Sequence, residues 1–352
     1  MSFLTDMVKG IDNTSLLNDG ANSSEFSGSI DTGSYILNAA ISGSLYGGVP
    51  NNKISAFAGE SATGKTFFVL GVLKQFLTDN PEGGVIYFDT EAAVTKQMME
   101  ERGIDTKRVV ISEPCSIEEF RTNATRILTT YIERGKDAPP MMMVLDSLGM
   151  LSSAKELADT EAGTDKRDMT KAQLLRGTFR VLSLKLAKAN VPLLVTNHVY
   201  DVIGAYVPTK EISGGSGLKY AASSIVMLGK KKDKEGTDVI GNIIRATMHK
   251  SRFTKEQKKI EVKLSYDTGL DRYYGLLDLA EKYDIIKKVS TRYELPDGRK
   301  VFGKAINNNP TEYYTPEIME QLEVAAAKEF KYGQVGVEEA AALEELENDG
   351  QV

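Results

Sequence analysis

Eight residues constrain this chain more than any other stretch: Gly59-Glu60-Ser61-Ala62-Thr63-Gly64-Lys65-Thr66. They follow the apolar run Lys53 to Ala58 and precede Thr66 to Leu77, whose apolar residues recur at helical spacing. The segment therefore reads as the turn between a buried strand and a helix, the setting a phosphate-binding loop needs. Glycines at both ends let backbone N–H groups wrap a β-phosphate at a helix N-terminus. Lys65 can reach the β- and γ-oxygens, and the Thr66 hydroxyl can hold Mg²⁺.

The rest of the chain is built to match. From Tyr35 onward, short apolar runs alternate with amphipathic stretches. Gly84 to Phe88, Arg108 to Ser112, Met141 to Leu145, Pro192 to Thr196, Ser223 to Leu228 and Ile243 to Met248 read as further strands, and Ile117 to Arg134 as a helix. That alternation predicts an α/β fold with a mostly parallel central sheet covered on both faces. Residues 1–30 read as a small helical arm followed by a Ser/Asn/Gly-rich tether. After about Leu270 the pattern becomes a small C-terminal α+β lobe: a helix from Leu276 to Tyr283, two strands around Pro296-Asp297-Gly298, and a helix from Pro316 to about Lys328. The expected division is an arm over 1–30, a core over 31–269, the lobe over 270–336 and a tail over 337–352.

Charge has functional content because of where it lies. The chain has 49 acids and 43 bases, but Val337 to Val352 contain six of the acids and no base, so the preceding residues are neutral. Such a tail is either a solvated end or an electrostatic competitor that screens an anion-binding surface. With one cysteine, Cys115, no internal disulfide is expected, and two histidines do not suffice for a zinc cage of the usual composition. No apolar run approaches membrane-spanning length, and the first residues lack the order of a signal peptide. A cytoplasmic protein without a membrane partner is the expectation.

Three further positions suggest chemistry. Met141 to Asp146 is an apolar run ending in an acid; paired with the phosphate loop, Asp146 reads as the carboxylate that holds Mg²⁺ through water. Val85 to Glu91 places Glu91 just past a core strand, at the ligand edge of a parallel sheet. Glu91 is a candidate for activating water, or else a surface carboxylate at a strand end. His198 follows Pro192 to Thr196 and is either a reporter of the γ-phosphate or a structural histidine. Two long polar connections, Ser152 to Asp168 and Val199 to Ser216, offer cations and the aromatic Tyr206. They suit single-stranded nucleic acid, or equally a pair of substrate lids.

The order of phosphate loop, Asp89-Thr90-Glu91, Val144-Leu145-Asp146-Ser147, Val195-Thr196-Asn197-His198, Gly214 to Tyr220 and Lys250-Ser251-Arg252 resembles the RecA recombinases, most closely the UvsX recombinases of tailed phages. The resemblance runs from about Thr32 to Phe330. It implies a RecA-like P-loop ATPase core using ATP and Mg²⁺, with Glu91 activating water and His198 sensing the γ-phosphate. It also implies that Lys250 and Arg252 reach the nucleotide of a neighbouring subunit. The two connections match DNA-binding loops, with Lys166, Arg167, Lys171, Arg176, Tyr206, Lys210, Gly214 and Gly215 as contact residues. The arm matches the segment that packs on the adjacent protomer in an open helical filament.

The implied function is ATP-dependent strand exchange on single-stranded DNA, pairing it with homologous duplex in recombination, repair and replication. A recombination mediator and a single-strand-binding protein are implied as partners. Two other readings share the fold: a ring-forming helicase motor, and a non-catalytic ATP-gated scaffold. The first normally brings an N-terminal assembly domain that thirty flexible residues do not provide; the second generally lacks part of the set Lys65, Thr66, Glu91 and Asp146. One departure from the family stands out: Met98 occupies the position where a tyrosine commonly stacks on adenine. Met98 can lie against a purine face by dispersion.

Overall fold

The computed structural model describes residues 3–7, 9–11, 14, 27–135, 137–164, 170–202, 210–235, 238–265 and 269–333. One sheet dominates, with ten strands. They are β1 (Ile54–Gly59), β2 (Gly84–Asp89), β3 (Val109–Ser112), β4 (Met141–Asp146), β5 (Leu193–Asp201), β6 (Lys210–Ile212), β7 (Ser224–Glu235), β8 (Asp238–Ser251), β9 (Lys259–Ser265) and β10 (Gly269–Leu270). The order is β10-β9-β8-β7-β1-β5-β4-β2-β3, with β6 paired to β5. From β7 to β3 all pairs are parallel; β8, β9, β10 and β6 add antiparallel pairs. The expected mostly parallel sheet is present, extended on one side by antiparallel strands.

Period-two alternation explains how both faces are buried. In β4, Met142 and Val144 enter the core on one face, with the helix Lys65–Asp79. Met143 and Leu145 enter the core on the other, with helices Ile117–Glu133 and Lys171–Ala189. Helix Ile117–Glu133 starts where the Ser116 side chain accepts the Glu119 N–H, and it buries Ile117, Phe120, Ala124 and Leu128 along one stripe.

The two long connections differ from the sequence expectation. The connection after Ser152 contains a helix, Ala154–Glu161, opened by a reciprocal cap between Ser153 and Glu156. The strand expected to end at Thr196 continues to Asp201, because Val199, Tyr200 and Asp201 pair with Ile212, Glu211 and Lys210. His198 therefore sits within a strand and not on a loop.

The C-terminal part contains helix Leu276–Lys282, a three-stranded antiparallel sheet and helix Pro316–Phe330. Strands Arg292–Glu294 and Lys300–Val301 flank the expected turn, where Gly298 has φ 82°. A third strand, Lys287–Val289, joins them. Helix Phe3–Met7 begins the described chain; most of the tether and the acidic tail lie outside the described residues.

Candidate active site

The phosphate loop is where the sequence places it, between β1 and helix Lys65–Asp79. Gly64 has φ 89° and its position offers no side-chain cap, so the first N–H groups of the helix are left for an anion. Gly59 is needed for space as well: a Cβ there would lie 2.7 Å from both the Leu228 carbonyl and the Thr63 hydroxyl. Thr63 is tied back to the Glu60 carbonyl at 2.9 Å, and Ala62 turns through φ 57°. Lys230, which stands in none of the motifs, donates to the Ala62 carbonyl at 2.9 Å.

Lys65 Nζ lies 3.1 Å from the Gly59 carbonyl and 2.9 Å from that of Glu60, so the ammonium spans the loop. Burial lowers its pKa, and the carboxylates of Glu91 and Asp146 only partly offset that. Asp146, 3% exposed at the end of β4, accepts the Thr66 hydroxyl at 2.8 Å. Tyr87 donates its phenol to the same oxygen at 2.7 Å, and Thr196 donates to the other. Burial and the adjacent Asp146 push the Tyr87 phenol far above its ordinary pKa, which keeps it a donor. A hydroxyl beside a carboxylate at a phosphate loop is an oxygen-only donor set, which fits Mg²⁺ shared with substrate phosphates.

Glu91 lies in the same constellation. Asp89 accepts the backbone N–H groups of Glu91 at 3.0 Å and Val94 at 3.1 Å, which shapes the turn after β2. The Glu91 carboxylate accepts the Ser147 hydroxyl at 2.6 Å and meets His198 Nε2 at 2.8 Å. Burial alone would raise the Glu91 pKa, but those two hydrogen bonds and the charge of Lys65 outweigh it and leave the carboxyl below its usual value. Thr90 in turn pairs with Ser147 through N–H to hydroxyl and hydroxyl to carbonyl contacts of 2.8 and 2.7 Å. The β2–β4 register, with Asp89 opposite Asp146, makes these contacts possible.

The expected distal residues fall elsewhere. Lys250 Nζ reaches the carbonyls of Lys219 and Ala222 at 2.6 and 2.8 Å, and Arg252 that of Tyr220 at 3.4 Å. Both thus close the C-terminal end of helix Ser216–Ala221. Lys250 pairs with Ile225 in β7, whereas Gly59 pairs with Leu228, so the two sites are separated by roughly 10 Å along the strands. Met98, in helix Lys96–Glu100, packs partly buried against the core around the phosphate-loop helix.

Among the expected DNA contacts, Lys171 pairs with Glu156 at 3.4 Å and Arg176 is exposed on its helix. Lys210 pairs with Glu60 of the phosphate loop, which ties the hairpin β5–β6 to that loop. Gly214 and Gly215, at φ 83° and 73°, lead into helix Ser216–Ala221. Lys166, Arg167 and Tyr206 lie outside the described residues.

Fold and site together define a P-loop nucleotide-binding α/β protein with a carboxylate, Glu91, poised beside the phosphate loop. The chain belongs to the RecA family: the model of the RecA N-terminal domain matches residues 2–271. The recombination and repair protein of Enterobacteria phage T4 is 30% identical over 253 residues, 72% of this chain and 63% of that protein. The match thus spans less than two thirds of that relative's length. Protein RecA of Lactobacillus johnsonii is 27% identical over 327 residues, 92% of this chain and 86% of its own length. Protein RecA of Deinococcus radiodurans is 27% identical over 304 residues, 86% and 80% of the two chains. The family expected from the motif order is the family found. Among the described residues, no helix is long and apolar enough to cross a membrane.

Proposed function

We propose that this protein is an ATP-dependent recombinase that polymerises on single-stranded DNA and pairs it with homologous duplex. The observation that carries the reading is the Glu91 carboxylate, held by Ser147 and His198 next to Lys65, Thr66 and Asp146. A scaffold that only binds nucleotide has no use for an oriented base at that edge. The names and extent of the RecA relatives support the DNA substrate.

In this reading the loop N–H groups and Lys65 bind the phosphates, and Glu91 accepts the proton of the attacking water. His198, on Glu91 and in the strand that continues into the β5–β6 hairpin, passes the state of the γ-phosphate to the second DNA loop. Thr66 and Asp146 would hold Mg²⁺, which when bound offsets the negative charge of the phosphate oxygens. Met98 would lie against the adenine. Lys250 and Arg252, remote from their own phosphate loop, would serve the nucleotide of the next subunit, so that ATP stabilises the filament and hydrolysis loosens it.

The remaining assignments follow from the same reading. The arm over 1–30 would polymerise, the core over 31–269 hydrolyse ATP, and the tail over 337–352, which follows the small lobe over 270–336, screen duplex DNA. A mediator and a single-strand-binding protein would load it in a bacterial cytoplasm.

The test is ATP turnover with and without single-stranded DNA, with electron microscopy of the same samples, for the wild type and Glu91→Gln. DNA-stimulated turnover, loss of at least 100-fold in the variant, and filaments that persist in it are expected. Closed rings or DNA-independent turnover would overturn the recombinase reading.

A further inference from the structure

Among the described residues, two buried hydroxyls in the core strands bond to the Asp146 carboxylate and to no other side chain. Tyr87, in β2, is 0% exposed and among the largest fully buried side chains, and its oxygen lies 2.7 Å from Asp146 Oδ2. Thr196, in β5 and also 0% exposed, donates to Asp146 Oδ1. Tyr87 lies between the apolar Ile86 and Phe88, and Thr196 follows the apolar run Leu193 to Val195. A hydroxyl in such a place costs about 1–3 kcal/mol unless it is bonded. A phenylalanine and a valine would fill the same space without that cost. Strand register brings both to one point. Asp89 sits opposite Asp146, which puts Tyr87, two residues earlier, on the same face. Leu145 sits opposite Val195, which puts Thr196 beside Asp146.

The third donor, Thr66, differs from these two. It comes from the phosphate-loop helix and shares Oδ2 with Tyr87 at 2.8 Å. Thr66 is also the hydroxyl that would meet Mg²⁺, so its hold on the carboxylate changes when metal and nucleotide arrive. Tyr87 and Thr196 grip one oxygen each from the core side and have no such second task.

We propose that Tyr87 and Thr196 are positioning residues for Mg²⁺: together they fix the plane of the Asp146 carboxylate, so that metal affinity depends on two hydroxyls that touch neither metal nor nucleotide. Groups that orient a metal's ligands from behind typically change metal affinity 10- to 100-fold when removed. The inference rests on the nucleotide-site reading above.

The full chain is titrated with ADP in the presence and absence of Mg²⁺ by calorimetry. Mn²⁺ binding to the protein–ADP complex is followed by electron paramagnetic resonance. Tyr87→Phe and Thr196→Val should bind metal-free ADP within about twofold of the wild type, yet hold Mn²⁺ in the ternary complex about 10-fold more weakly or worse. Thr196→Ser, which keeps a hydroxyl, should restore it. Wild-type Mn²⁺ affinity in Tyr87→Phe and Thr196→Val would overturn the proposal, as would equal weakening of ADP with and without metal. If Tyr87→Phe does not fold, the threonine pair decides alone. A wild type whose ADP binding is absent or indifferent to metal would instead defeat the nucleotide-site reading, and this inference with it.

Discussion

Both contacts on the Glu91 carboxylate reach the same atom: Ser147 Oγ and His198 Nε2 lie 2.6 and 2.8 Å from Oε1. Among the described residues no hydrogen bond reaches Oε2, the oxygen that in the proposed mechanism takes the proton of water. The Ser147 hydroxyl also helps hold the Glu91 pKa below its usual value. Removing it raises that pKa, so the base is protonated at a higher pH than before. Ser147→Ala should therefore shift the acid limb of the kcat profile upward, while turnover at neutral pH, where the carboxylate stays ionised, changes little. ADP affinity should not change. An acid limb that stays in place would show that Ser147 does not tune Glu91. Lys65, Thr66, Glu91 and Asp146 were legible in the sequence because each stands in a motif or at the end of an apolar run. The roles of Ser147, Tyr87 and Thr196 were not, although Ser147 and Thr196 stand inside two of the motifs. A hydroxyl in or beside a core strand gains meaning only once register sets it against a carboxylate on the next strand.

Elements were legible where periodicity was strong and obscure where a cap or a distant partner decided. Every strand expected between Lys53 and Met248 is present; the central ones are buried on both faces and so apolar at nearly every position. Helix Ala154–Glu161 buries none of its residues, so apolar spacing gave no sign of it; the Ser153 and Glu156 pair was the readable signal. The continuation of β5 depends on Lys210–Ile212, nine residues beyond its end, and no local pattern encodes that pairing. Helix Ser216–Ala221 depends on a close approach. A Cβ on Gly217 would lie 2.9 Å from the Arg176 nitrogen and 3.0 Å from the Leu175 carbonyl carbon, both backbone atoms of helix Lys171–Ala189. Gly217→Ala should destabilise by about 1–3 kcal/mol, because one helix must move off the other. Gly177→Ala, in that longer helix with nothing within 4 Å, should stabilise by about 0.5–1 kcal/mol. Urea midpoints that move together would show that the two helices do not meet as closely as this.

At the scale of the molecule, the C-terminal helix is bound into the body along its length. Its Ile318, Leu322 and Phe330 share one buried cluster with Ile36 and Leu37 near the N-terminus, Phe68 of the phosphate-loop helix and Leu276. Midway along it, Glu323 accepts the Leu45 N–H at 2.7 Å. Toward its end, the Glu329 carboxylate collects Lys258 at 2.6 Å, Lys282 at 2.7 Å and the Tyr283 phenol at 2.9 Å. Burial works to raise the Glu329 pKa, but these three donors prevail and bring it to about 2. A carboxyl whose folded pKa lies below its unfolded value stabilises the fold above the unfolded pKa. That stability drains away as pH falls through the window between the two. Here the window runs from the ordinary glutamate value near 4.5 down to about 2. With Lys282 more than half exposed, solvent screening reduces the contribution to roughly 1–3 kcal/mol. Wild-type unfolding free energy, measured in urea at pH 6 and pH 2.5, should therefore fall more than that of Glu329→Gln, and the two should converge at the lower pH. Parallel losses in the two proteins would mean that other carboxylates, and not this junction, set the acid stability of the fold.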